Sequence, residues 1–142
     1  MAYYNNLCKF RISLIASGML LCYNSVMKEN KLLEQSRKFA VAIIQIAADL
    51  KSKGQRSLAD QIQRSGTSIS ANIAEGNHPQ SRADMISKFE IALKEANETE
   101  NWLVLCDDAQ LIEHELYESV HKELVQIKIL LIASIRTLKA KL

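Results

Sequence analysis

Glu118 and His121 are three residues apart, and His114 lies seven before His121, so one side of a helix carries all three. Glu-x-x-His is the spacing with which helical bundles hold a pair of metal ions. Such a centre needs a second pair and further Glu residues from other helices, and this segment supplies one pair. Leu116, Val120 and Leu124 set the inner face of the same helix, which puts Glu118 and His121 opposite, on a solvated charged face. Gly66-Thr67-Ser68-Ile69-Ser70 is rich in hydroxyls. It has neither the second Gly nor the preceding strand of a nucleophile elbow, and no Gly-Lys pair for phosphate. Its hydroxyls are expected to bond to helix carbonyls or to a neighbouring helix. Glu95 and Glu98 could be paired acids, but the helical spacing predicts surface ion pairs with Lys94 and Lys88. Trp102 could stack on a base, yet beside Leu103 it is expected to pack at a helix interface. Asn97-Glu98-Thr99 is a formal glycosylation acceptor in mid-helix. The expectation is a protein without catalytic residues, metal or cofactor.

These residues need helices to carry them. The chain has 142 residues, enough for one domain with a proper core. One Pro and four Gly are too few for a β-rich chain. Cys8, Cys22 and Cys106 have no metal-ligand spacing, and an odd count without a framework predicts free thiols in a reducing compartment. Cys106 lies on an apolar stripe, as a small core residue does. Lys9 and Arg11 precede an apolar run from Ile12 to Cys22, too short to span a bilayer as a helix. Leu21 before Cys22 does not suit a lipoprotein site, and no Ala-x-Ala follows. Residues 1–26 read as an extension upstream of a start at Met27, as an N-terminal helix, or as a signal. The net charge is +2; without Lys9 and Arg11 the 18 basic residues become 16, equal to the 16 acidic ones. The cytoplasm is the expected location.

Periodicity predicts four helices. The first runs from about Asn30 to Lys53, with Ser36, Ala40, Ile43, Ala47 and Leu50 in alternating steps and Phe39 and Ile46 widening the stripe. Gly54 stops it. Ser57 with Asp60 predicts a capped start for the second, which runs to Glu75. Gly76-Asn77-His78-Pro79 breaks the chain, and Ser81 with Asp84 opens the third helix. Its seam is Met85, Phe89, Ala92, Ala96, Thr99, Leu103 and Cys106. Asp107 to Glu113 connects to a fourth helix from about His114 to the C-terminus. Short connections favour antiparallel neighbours, so the fold class is all-α, an up-down-up-down four-helix bundle over residues 27–142.

In the second helix Ile62, Ile69 and Ile73 recur at helical spacing, with Ser65 and Gly66 between them on the same side. Gly inside a helix costs about 1 kcal/mol relative to Ala, and close packing is the reason to tolerate it. The segment Arg64-Ser-Gly-Thr-Ser-Ile-Ser-Ala-Asn-Ile73, followed by Lys88-Phe-Glu-Ile-Ala-Leu-Lys-Glu-Ala-Asn-Glu-Thr-Glu-Asn-Trp-Leu103, resembles the proteins encoded in intervening sequences of bacterial 23S ribosomal RNA genes. The resemblance covers residues 28 to 142. It departs at Asn101, where the family often has an aromatic, and at the Glu75–Pro79 turn, usually Ala-rich or acidic. It implies closed homo-oligomers, five-fold rings, and an association with RNA or with a nucleic-acid-processing protein such as a reverse transcriptase.

The fourth helix is apolar nearly all round. Leu124, Ile127, Leu131 and Ile135 can face the core, which leaves Val125, Ile129 and Ile132 on other sides. Such a helix is either central or has a second partner, and the functional reading is a subunit interface. One end of an up-down bundle collects Lys28, Lys31, Arg82, Arg136, Lys139 and Lys141 against Glu29, Glu75 and Asp84. The other end sets Lys51, Lys53 and Arg56 against Asp107, Asp108, Glu113 and Glu115. The basic end reads either as a weakly specific phosphate contact or as solubilising charge. A purely structural or protein-binding scaffold is the alternative function. A chain starting at Met27 is expected to be as helical, and to melt as cooperatively, as the full chain. Substantial loss of helicity or solubility would show that the first segment packs into the fold.

Overall fold

A computed structural model describes residues 31–140. The expectations for residues 1–26, for Lys28 and for Lys141 fall outside that range. Four helices make up the described part: α1 Lys31–Ser52, α2 Arg56–Gly76, α3 Arg82–Asp108 and α4 His114–Lys139. Among the described residues no helix is long and apolar enough to cross a membrane.

The predicted stripes are the core. Phe39, Ile43 and Leu50 of α1, Ile62, Ile69 and Ile73 of α2, Leu103 of α3 and Leu124, Ile127 and Leu131 of α4 are fully buried. Each helix packs on the next, and α1 also packs on α4, which closes a square. The pairings run antiparallel. Along the α2–α3 seam Arg64 meets Glu98 near the middle, while Glu75 meets Lys88 at the end. Along the α3–α4 seam His114 meets Asp107 at one end and Lys139 meets Glu90 at the other.

Gly66 explains how close α1 and α2 come. A Cβ built on it would stand 2.6 Å from Ile43 Cγ2 and 2.9 Å from Ile43 Cγ1. On the other flank of α2, Ser65 and Thr99 of α3 are both buried and share a hydroxyl–hydroxyl hydrogen bond of 2.9 Å. Each hydroxyl also lies within reach of a carbonyl one turn back, Gln61 O for Ser65 and Glu95 O for Thr99. Small residues on α2 therefore serve two seams at once.

The turns differ in part from expectation. Gly54 has φ +80°, and the Gly54 and Gln55 N–H groups donate to Lys51 O and Leu50 O, a Schellman closure. This closure leads straight into α2 at Arg56, with Gln55 in the N-cap place and no side-chain cap. Ser57 and Asp60 thus lie inside α2 and make no capping box; Asp60 instead meets Lys51 at 2.9 Å. Gln110 repeats the left-handed closure after α3 with φ 56°, its N–H on Asp107 O and that of Leu111 on Cys106 O. The expected cap at Ser81 is present, its side chain accepting from Asp84 N at 3.1 Å. Leu116, placed on the inner face from sequence, is 43% exposed. The buried stripe of α4 continues back from Val120 to the half-buried Tyr117, a three-residue step.

Gly66→Ala gains about 1 kcal/mol of helix propensity but overpacks the α1–α2 seam at a typical cost of about 1–3 kcal/mol. The expected result is a lower denaturation midpoint, and Ile43→Val in the same chain should recover part of it. A midpoint raised by Gly66→Ala alone would show that the seam has slack.

Candidate functional site

The family-like segment of α2 faces α3 through a polar seam. Glu98 Oε1 accepts hydrogen bonds from Arg64 and, at 3.3 Å, from Trp102 Nε1. Glu95 Oε2 lies 3.7 Å from Arg64 Nη1, buried and without a hydrogen bond. The acids thus do not pair with Lys94 and Lys88 as expected. Arg64 comes from α2 to meet them, and Lys88 goes to Glu75, which holds its ammonium pKa above the ordinary lysine value. The reason is that α3's neighbour supplies a cation closer than its own next turn. Trp102 is half-buried against the core, as a packing residue. The hydroxyls of Thr67 and Ser65 bond to helix carbonyls, as expected for this segment.

Between α3 and α4 runs a ladder of rings and carboxylates. Tyr117 stacks between His114 and His121, with centroids 5.9 and 5.3 Å away. His114 Nδ1 meets Asp107 at 3.1 Å, and His121 Nε2 meets Glu100 at 3.1 Å. Lys128 donates to the other Glu100 oxygen at 2.7 Å. His121 is therefore turned to α3 rather than to open solvent, because its place on α4 falls on the α3 side of the stripe. Glu118 stays exposed, 3.9 Å from His114 Nε2. Among the described residues no three His, Cys, Asp or Glu side chains gather as metal ligands would. Burial pushes the Cys106 thiol pKa up, which suits a core residue and not a nucleophile.

The antiparallel order brings the start of α1, the α2–α3 turn and the end of α4 to one end. Lys31, Arg82, Arg136 and Lys139 are exposed there. Lys139 is bound to Glu90 at 2.6 Å, an acid the sequence reading did not count. Arg136 has no ion-pair partner among the described residues. At the opposite end Lys51 meets Asp60, and Lys53 meets Asp49 at 2.7 Å and Leu111 O at 2.7 Å. A groove of about 220 Å³ between α1 and α4 is lined by Gln35, Lys38, Glu123, Gln126 and Ile127.

On α4 the three residues set apart from the core stripe lie outside it. Ile129 is 59% exposed, Val125 is 36% exposed and Ile132 is half-buried. The fold and the paired segments of α2 and α3 are those of a known family: the model of the 23S rRNA-intervening sequence protein matches residues 28–133. The chain belongs to the 23S rRNA-intervening sequence protein family. A solved member of the S23 ribosomal protein family from Bacteroides thetaiotaomicron, of unknown function, is 46% identical. The similarity covers 73% of this chain and 97% of that one, with a TM-score of 0.72. No curated protein matches the chain.

The polar seams of this family member carry a pH dependence. Asp107 beside His114 holds its imidazole pKa above the ordinary 6.5, so the protonated form stabilises the fold. That contribution is complete below 6.5 and is lost as the pH rises through the folded value. Lys128, bonded to Glu100, holds that carboxyl below the ordinary 4.5, so its contribution is present above 4.5 and lost as the pH falls through the folded value. His114→Asn should flatten the fall in denaturation midpoint between about pH 6 and 8 and leave the acid limb unchanged. Glu100→Gln should weaken the acid limb. A midpoint that rises from pH 6 to 8 in the wild type and not in His114→Asn would contradict the assignment.

Proposed function

We propose that the chain is a non-catalytic subunit of a homo-oligomer, assembled through the outer side of α4, whose basic end contacts RNA phosphates. The observation that carries this reading is Ile129, a large branched side chain 59% exposed and one turn from the exposed Val125. Burying each such side chain is worth roughly 1.5–3 kcal/mol, so covering several together favours association. A closed ring of parallel subunits, five-fold in the expectation drawn from the resemblance, repeats Lys31, Arg82, Arg136 and Lys139 around one rim. The sequence expectation adds Lys28 and Lys141, which lie outside the described residues. Contacts of this kind are weakly sequence-specific and strongly salt-dependent. The family's description ties it to intervening sequences of 23S rRNA, which makes RNA the nucleic acid to test.

One observation favours a scaffold without a nucleic-acid role. The Lys139–Glu90 and Lys88–Glu75 pairs neutralise part of the basic end. The two readings separate in one set of measurements. Light scattering of the wild type should give a mass above the monomer, and Ile129→Glu should reduce it to the monomer. Reversal of Arg136, Lys139 and Lys141 to Glu should abolish low-salt RNA binding and leave the oligomer intact. A well-folded wild-type monomer at micromolar concentration would sink the assembly. Equal RNA binding by the triple variant, or none by the wild type, would leave the scaffold.

A further inference from the structure

The start of α4 is held differently from the start of the other described helices. Leu32, the second residue of α1, is buried, as are Ala59, the fourth of α2, and Ile86, the fifth of α3. In α4 the first buried residue is Val120, the seventh. From His114 to Ser119 only Tyr117 is even half-buried. Ile112 in the preceding turn is buried, so the segment hangs between two apolar anchors with none of its own.

What ties this segment to α3 is the ladder of rings and carboxylates. His114 Nδ1 lies 3.1 Å from both Asp107 oxygens, and Tyr117 stacks on His114 on one side and on His121 on the other. The two rungs of the ladder differ in their response to pH. At the far rung Glu100 accepts from Lys128 at 2.7 Å as well as meeting His121. A lysine ammonium stays charged across neutral pH, so that rung keeps a cation. At the near rung His114 is the cation, and the charges acting on it are acidic: Asp107 of α3, then Glu118 and Glu115 of α4 itself. Asp108 stands next to Asp107, and Glu113 next to His114. The lysine of α1 that reaches this turn, Lys53, is engaged by Asp49 and by Leu111 O. His114 is the first residue of α4, where open N–H groups disfavour a cation. Its proton is therefore held by the carboxylates, Asp107 foremost, and a neutral His114 leaves acids of α3 facing acids of α4.

We propose that the segment from His114 to Ser119 is a proton-operated latch, docked on α3 while His114 is charged against Asp107 and released when that proton is lost, with Ile112 and Val120 as its hinges. The direction follows from the partner. Asp107 raises the His114 pKa above 6.5, so docking is complete below 6.5 and weakens as the pH rises through the folded value. An exposed pair contributes little to the stability of a whole domain. Local openings at helix ends start from free energies near zero, so a small contribution decides their population. Release brings Tyr117 into water beside Leu116, which is already exposed, and so presents an aromatic and apolar patch at the acidic end of the bundle.

Hydrogen exchange of the full chain, corrected for the intrinsic rate at each pH, reads the latch at the Tyr117 amide, which donates to Glu113 O at 3.0 Å. Its protection should fall several-fold between about pH 6 and 8. It should not respond to low concentrations of urea, the mark of a local opening, whereas the amides of Leu124 and Leu131 should respond because they open with the bundle. His114→Gln and Asp107→Asn should each show the released level of protection at both pH values. Asp107→Asn keeps the ring stack, so the pair of variants separates charge from stacking. His114→Arg, charged throughout, should hold the docked level at both. Equal Tyr117 protection at the two pH values in the wild type, or a fall that persists in either neutral variant or in His114→Arg, overturns the latch. A urea dependence at Tyr117 equal to that at Leu124 overturns it too, because the segment then opens only with the whole bundle.

Discussion

The missing side chain at Gly66 lets Ile43 of α1 lie against the α2 backbone, and the rest of the bundle is arranged around that approach. Helix α2 is the only one of the four with such a close neighbour on one flank and a buried hydroxyl pair, Ser65 with Thr99, on the other. Large side chains elsewhere fill what remains of the interior: Phe39 and Leu50 from α1, Leu103 from α3, Leu124 and Leu131 from α4. Interiors packed this densely respond to a single added methyl group, so the small residues of α2 are as constrained as the large ones they face.

Once the seams are set, charge is distributed by what lies across them. Arg64 serves the two acids of α3, Lys88 serves Glu75, and Glu100 is shared by His121 and Lys128. Most of these pairs join neighbouring helices at the rim of a seam, where one partner is partly shielded. Exposed ion pairs of this kind add little to stability. Large apolar side chains stay in water on three of the helices: Val41 and Ile44 of α1, Ile91, Val104 and Leu105 of α3, and Leu116, Val125 and Ile129 of α4.

The residues whose spacing first suggested chemistry do not converge on one another. Glu118 and His121 diverge: one points to solvent and the other to Glu100. In the hydroxyl-rich segment of α2, Ser65 and Thr67 turn their side chains back on helix carbonyls. What the surface carries instead is a basic end and large apolar side chains exposed on α1, α3 and α4.

The amino-acid sequence by itself determined the helices, their faces and their order. The stripes of α1 and α3 were legible because burial on one side imposes a 3.6-residue period, and the break at Gly76–Pro79 because these residues end helices. The closeness of α2 to its neighbours was legible in Ser65 and Gly66 for the same reason. Ser57 and Asp60 show the limit: their spacing is that of a cap, but the left-handed closure at Gly54 carries the chain into α2 two residues earlier, with Gln55 in the cap place. Side-chain partners across seams were not legible, since Arg64 and Glu98 are 34 residues apart and only the relative rotation of two helices brings them together. Tertiary structure alone decided that Tyr117 rather than Leu116 continues the core of α4, and that Lys139 is tied to Glu90. It decided too which apolar residues stay in water, because exposure depends on how each helix is turned against two neighbours, and a period in one helix says nothing about the other two.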